Sequence, residues 1–270
     1  MVDLQSAGAN GLLSDVLSRR PLLALDFDGT LSPLVSDPAA AAMDPRFAPL
    51  LPPLVSRLPV AIVSGRGLAD LGPRVPVDGL TLVGNHGNEW APAGGDHPGG
   101  HNERSERQRR ICVDWAAALA APLAALGPGL AFEAKSVSLS IHYRLAADPE
   151  EMRLKLLDLF EELRPRPEII EGKFVFNLMA PGLVTKYEAI EELLSRHRAG
   201  TAIFVGDDVT DERVFERAPA DWLTVRVWDD ESAAAGANPS GAASRARAFV
   251  HGVDGVVELL TRLVRLSRNL

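Results

Sequence analysis

The feature that most limits what this chain can become is a repeated pattern: a short, wholly apolar run that stops at polar residues. "LLALDF" (22–27), "VAIVSG" (60–65), "LTLVGN" (80–85) and "AIFVGDD" (202–208) all follow it. A strand with one face in water alternates apolar and polar residues, whereas an unbroken apolar run is buried on both faces. Such strands need helices on either side, and apolar-periodic stretches around 46–58 and 66–72 predict them. The expectation is an α/β fold with a Rossmann-like parallel sheet. Its polar residues would lie at the carboxyl ends of the strands, the edge where open parallel sheets take ligands.

The stretch from 91 to 182 breaks this pattern. "APAGGDHPGGHNE" (91–103) reads as a Gly/Pro/His-rich loop or hairpin, and 104–126 as a long helix. "LAFEAK" (130–135), "VSLSIHYR" (137–144), "EIIEG" (168–172) and "FVFNLM" (174–179) read as strands, with a helix over 149–163 between the two pairs. Strand pairs backed by helices suggest a small α+β domain, 91–182, inserted into a core made of 1–90 and 183–270. Residues 185–197 return to the core as an amphipathic helix. The Ala/Gly/Ser-rich 229–247 reads as a loose loop or short helix. A last helix near 254–266 puts Val256, Leu259, Leu260 and Leu263 on one packing stripe.

Two acidic clusters carry the chemistry. "DFDGT" begins at Asp26 and "GDDVTDE" at Gly206, each at the end of a buried run. Carboxylates crowded at one strand end raise each other's pKa unless a cation compensates them. Hard oxygen ligands suit Mg²⁺, which binds a few carboxylates together with substrate phosphate oxygens and water. Either cluster alone reads equally well as a solvated turn or helix cap; the two together point to a shared metal site.

Bulk properties narrow the partners. The 270 residues carry a formal net charge of −8, which argues against nucleic acid or an anionic membrane as the main partner. An anionic substrate must then be held by a local cation cluster or a metal. The single cysteine, Cys112, allows no intrachain disulfide and reads as a small apolar helix residue. No apolar run approaches the ~18 residues of a membrane span. Residues 1–20 contain Asp3 and Asp15 and lack the basic-then-apolar order of a secretory signal. A cytoplasmic, monomeric protein is expected.

"DFDGT", "SGR" (64–66), Lys186 and "GDDVTDE" together resemble, in order and spacing, the four motifs of the haloacid dehalogenase superfamily of phosphatases. The resemblance implies Asp26 as the nucleophile that takes the phosphoryl group and Asp28 as general acid and base. It implies Thr30, Ser64, Gly65 and Arg66 around the phosphate and Lys186 offsetting charge. Mg²⁺ would be held by the Asp26 side chain, the Asp28 carbonyl, Asp207 and Asp208, with Asp211 in support. Ser64 reads also as a helix N-cap, and Lys186 as a solvated helix residue.

The insertion between the second and third motifs, with "GNHGNEW" (84–90) and "FEAKSVSLSIHYR" (132–144), resembles the trehalose-6-phosphate phosphatase family. That likeness implies a phosphorylated disaccharide substrate and sugar-binding roles for Glu133, Lys135 and Arg144 in the inserted cap, with His142 nearby. His86 would orient its loop, contact the sugar or serve only the structure. His97 and His101 read as solvated loop residues. The chain departs from the family where "FNLMAPG" places Asn177 and Met179 at positions usually held by Glu and Arg, and where Tyr187 replaces Gly after Lys186. Asn177 keeps hydrogen bonding but loses a charge. These departures leave open a related substrate, such as sucrose phosphate or a glycosylglycerate phosphate. A catalytically idle protein that binds a sugar phosphate for a partner enzyme is the alternative from another class.

Overall fold

The computed structural model describes residues 1–6, 8–35, 37–92, 103–134, 138–172, 174–182, 184–228 and 244–269. The strands are β1 (Val2–Asp3), β2 (Leu22–Leu25), β3 (Val60–Val63), β4 (Thr81–Gly84), β5 (Glu89–Pro92), β6 (Ala131–Ala134), β7 (Ser138–His142), β8 (Glu168–Gly172), β9 (Val175–Met179), β10 (Ala202–Gly206), β11 (Leu223–Trp228) and β12 (Ala248–His251). The described helices are α1 (Ala9–Ser18), α2 (Leu51–Val55), α3 (Leu68–Leu71), α4 (Glu103–Ala125), α5 (Pro149–Glu161), α6 (Lys186–His197), α7 (Val209–Arg217) and α8 (Gly252–Leu266). They fall into two compact units: Met1–Gly100 with Val184–Leu270, and His101–Leu183.

In the first unit eight strands form one sheet in the order β1-β12-β11-β10-β2-β3-β4-β5. All its pairs are parallel except β4 with β5. Alternation along the buried strands splits the core into two layers. Leu23, Leu25, Ile62, Ile203 and Val205 pack with Leu13 and Val16 of α1, Leu51 and Leu54 of α2, and Leu259 and Leu263 of α8. Leu22, Ala24, Ala61, Val63 and Phe204 face the other way, against Ile190 and Leu193 of α6 and Val214 and Phe215 of α7. Strand β2 is wholly buried because helices cover both its faces.

Some elements are shorter than expected, and some were not expected. The helix around 46–58 resolves into a 3-10 turn at Pro45–Phe47 and the five-residue α2. Pro45, Pro52 and Pro53 lack the N–H that would continue a helix, so each tends to start a new one. The helix over 66–72 is α3, followed by a 3-10 turn at Gly72–Arg74 that contains Pro73. Residues 89–92 extend the core sheet as β5. Strand β11, "LTVRVW", was hidden by the charge of Arg226, which is nonetheless buried. Most of the 91–103 loop, His97, His101 and residues 229–243 lie outside the described residues.

The second unit is a four-stranded antiparallel sheet, β6-β7-β9-β8. One face carries Leu139, Ile141, Phe176 and Leu178, which pack on Trp115 and Leu119 of α4 and Leu156 and Phe160 of α5. Among the described residues no helix is long and apolar enough to cross a membrane.

Candidate active site

Parallel neighbours β10, β2, β3 and β4 end at one edge of the sheet, and the polar residues after each run meet there. Asp26 follows β2; its N–H donates to the Val205 carbonyl at 2.9 Å, so the pairing with β10 continues into the site. The chain then turns, with Leu31 N–H donating to Phe27 O at 2.8 Å and Gly29 N–H to Ser32 O at 2.8 Å. Gly29 sits at φ 71°, and a Cβ there would fall 2.0 Å from Asp207 Oδ2. Only glycine accepts both that backbone and the Asp207 carboxylate lying over it.

Lys186, the first residue of α6, is 3 % exposed, and its ammonium bridges two buried acids. Nζ donates to Asp26 Oδ1 and to Asp211 Oδ1, both at 2.7 Å. The helix start that aims it is built locally: Thr185 N–H donates to Glu188 Oε2 at 2.9 Å. From the other side, Asn88 Nδ2 donates to the Val184 carbonyl at 2.9 Å and Val184 N–H donates back to Asn88 Oδ1 at 3.3 Å. Glu89, from the same "GNHGNEW" stretch, accepts the N–H of Leu68 at the start of α3 at 2.7 Å. That stretch therefore bolts the second and third motifs together. His86, at φ 58°, lies against Gly65, where a Cβ would come within 2.6 Å of its ring.

The acidic loop after β10 supplies Asp207, Asp208 and Asp211. One carboxylate oxygen from each of Asp26, Asp207 and Asp211 lies within 4.8 Å of the others. Asp208 instead sits at the N-cap of α7, its N–H donating to Asp211 Oδ2 at 3.0 Å and its carboxylate accepting from Thr210 Oγ1 at 3.3 Å. Burial pushes Asp26 up to about 7, with Lys186 pulling it down and Asp211 pushing it up again. Burial, then the charges of Asp26, Asp211 and Asp208, push Asp207 up to about 9. Burial opposes the charge on Lys186, yet Asp211 and Asp26 hold its ammonium above the ordinary lysine range.

Two buried oxygens at this edge, Asp207 Oδ1 and Thr30 Oγ1, have no hydrogen-bond partner among the described residues. A buried acceptor without a donor is costly, and a cation removes that cost. The donor set is all carboxylate oxygen, so the residues fit a hard divalent ion.

The remaining residues predicted for the phosphate lie close by. Ser64, 1 % exposed, accepts the Arg66 N–H on its Oγ at 3.1 Å, a turn-capping contact. The Arg66 guanidinium grips the Asp28 carboxylate with two bonds, Nε to Oδ2 and Nη2 to Oδ1, each 2.7 Å. Its Nη1 reaches Asp70 Oδ2 at 2.6 Å. Asp70 was not singled out from sequence; its spacing of four from both Arg66 and Arg74 on a helical stretch was the available signal. Tyr187 turns away from the site: it stacks on Trp222 with centroids 5.6 Å apart, and Arg217 lies 4.0 Å over its ring.

In the second unit Glu133, Ser140, Asn177 and Ile170 are cross-strand partners and so share one face, opposite the helices. His142 is on the same face one pair along, its Nε2 3.9 Å from Glu133 Oε2. Ser140 Oγ donates to Asn177 Oδ1 at 2.8 Å. Arg144 lies beyond β7, its guanidinium 6.0 Å from the centre of the Phe174 ring. Lys135 lies outside the described residues.

The doubly wound parallel sheet with its inserted α+β unit has the haloacid dehalogenase-like fold. Comparison with known proteins is more specific. The chain belongs to the trehalose-phosphatase family, whose sequence pattern matches residues 24–244. It is 32 % identical over 213 residues to the trehalose-phosphate phosphatase of Mycobacterium tuberculosis (strain ATCC 25618 / H37Rv), covering 77 % of this chain and 54 % of that protein. The chain thus spans about half the length of the curated relatives it matches. The crystal structure of a trehalose-6-phosphate phosphatase related protein superposes with a TM-score of 0.68 at 25 % identity, covering 92 % of this chain and 99 % of that one. Aspergillus fumigatus trehalose-6-phosphate phosphatase gives 0.67 at 24 % identity, covering 95 % and 97 %.

Proposed function

We propose that this chain is a Mg²⁺-dependent phosphomonoesterase that hydrolyses trehalose 6-phosphate to trehalose and phosphate. The observation that carries the proposal is the buried set of Asp26, Lys186 and Asp211 beside the partnerless Asp207 oxygen. A carboxylate held against a lysine, next to an oxygen-only cation site, suits in-line attack on a phosphate ester. The family match and the curated relatives support trehalose 6-phosphate as the ester.

In this reading an Asp26 oxygen attacks phosphorus as the phosphorus–sugar oxygen bond breaks, and Asp28, protonated once its carboxyl leaves the Arg66 guanidinium that holds both its oxygens here, gives its proton to the departing oxygen. Water then attacks the aspartyl phosphate, its proton returns to Asp28, and the bond to Asp26 breaks. Lys186 keeps Asp26 in place and offsets negative charge throughout. Ser64 and Thr30 donate to the phosphate oxygens; the free Thr30 hydroxyl suits that role. Asp26, Asp207 and Asp211, with Asp208 and the Asp28 carbonyl close in sequence, would hold the Mg²⁺. When bound, the ion neutralises charge on the transferring group. The cap face carrying Glu133, His142 and Asn177, with Lys135 and Arg144, would read the sugar hydroxyls.

A second reading, another glycosyl phosphate as the preferred ester, is favoured by Asn177, a neutral amide whose Oδ1 accepts from Ser140 where the family usually has a Glu carboxylate. Purified protein with Mg²⁺ and a panel of trehalose 6-phosphate, sucrose phosphate and glycosylglycerate phosphate decides between them. The highest kcat/KM is expected for trehalose 6-phosphate. A different ester at much higher kcat/KM would establish the second reading, and phosphate release from none of them would remove both.

A further inference from the structure

One buried charge pair beside the site has no part in the scheme above. Arg226, 2 % exposed, sits within β11 directly across from Gly206, the residue that precedes Asp207. Its Nη1 donates to the Asp208 carbonyl at 3.0 Å and to Glu212 Oε1 at 3.2 Å. Glu212, 7 % exposed, uses its other oxygen to accept the Arg245 N–H at 3.0 Å. Both acceptors of Arg226 belong to the start of α7: Asp208 is the N-cap, and Glu212 lies one turn on.

Residues 207–211, where the chain after β10 enters α7, are therefore held from two sides. Lys186 holds them through Asp211, and Arg226 holds them through the Asp208 carbonyl and Glu212. Stability alone is a poor reason for the second hold. A buried ion pair is often no more stabilising than apolar side chains of the same size, and Arg226 Nε is buried with no hydrogen-bond partner among the described residues. An arginine kept there at that cost is better explained by what it aims. Both bonds leave one nitrogen, Nη1, whose two hydrogens are held in the guanidinium plane, whereas an ammonium's rotate freely.

We infer that Arg226 and Glu212 are positioning residues for the cation site: they fix residues 207–211 so that Asp207 and Asp211 face Asp26. The inference rests on the proposed cation site and predicts that the pair sets metal affinity without touching metal. Groups that orient ligands from behind typically change affinity by about 10- to 100-fold when lost.

The test is direct binding of Mn²⁺, a paramagnetic stand-in for Mg²⁺, followed by electron paramagnetic resonance, with melting curves on the same samples. R226M with E212Q removes both charges and keeps an acceptor for the Arg245 N–H; R226K keeps the charge and loses the planar guanidinium. The expected result is a double variant that still melts cooperatively and binds Mn²⁺ about tenfold more weakly or worse, with R226K in between. If the double variant fails to fold, R226K alone decides. Wild-type Mn²⁺ affinity in the folded variants overturns the inference and leaves the proposed function standing. A wild-type protein that binds no Mn²⁺ overturns both.

Discussion

The strand ends of the core and the open face of the cap sheet are both polar surfaces on β-structure, yet they are built in opposite ways. In the core, Asp26, Lys186 and Asp211 are almost wholly buried and each is fixed by charged partners at 2.7 Å. On the cap, Glu133 and His142 are half exposed and 3.9 Å apart. Burial makes each core charge expensive unless its partner is present, so the arrangement tolerates little change. Exposed groups lose little when altered, so a recognition surface can vary while the chemistry stays fixed. The departures from the family pattern fit that division. Asn177 and Met179 lie on a cap strand, whereas Tyr187 in the core is absorbed by stacking on Trp222, away from Lys186.

The sharpest way to break this contrast is Asp26→Asn. It keeps the shape and removes the proposed nucleophile, and phosphate release should fall by about three orders of magnitude or more. Turnover near wild type in a steady-state phosphate assay would contradict the assignment. Next is Lys186→Met, which leaves Asp26 and Asp211 buried without their shared cation. A loss of roughly 3–5 kcal/mol in urea unfolding is expected, together with loss of activity. Lys186→Met combined with Asp211→Asn should regain part of the stability and none of the turnover.

A third, smaller effect concerns pH. Burial, with the charges of neighbouring acids, pushes Asp26 up to about 7 and Asp207 up to about 9, above the ordinary 3.8. Both acids hold protons more tightly when folded, so their contribution is full below about pH 4 and is lost as pH rises through those values. With EDTA, Tm should fall between pH 6 and pH 9 by about 4 °C or more relative to Asp207→Asn. Added Mg²⁺ should flatten the curve, and a slope unchanged by the ion would remove the metal from the account. The smallest effect belongs to the cap. Asn177→Ala should raise KM for the disaccharide phosphate by about three- to tenfold, the worth of one hydrogen bond, and leave p-nitrophenyl phosphate turnover unchanged. A fall in both would mean that the residue serves the fold and not the sugar.

Much of this protein could be read from its residues in order. Unbroken apolar runs required strands covered on both faces, and that requirement alone placed Asp26, Ser64 and Asp207 at one sheet edge. Local sequence could not show which distant acids meet which cations. The chain order that brings Asp211 to Lys186, Arg66 to Asp28 and Arg226 to the Asp208 carbonyl is settled by strand order and helix packing. Spacing along a strand fixes which face a side chain takes; pairing across the molecule depends on where the whole sheet carries it. For the same reason a buried Arg226 disguised β11 as something other than a core strand, because only tertiary packing supplied the Glu212 that makes its burial tolerable.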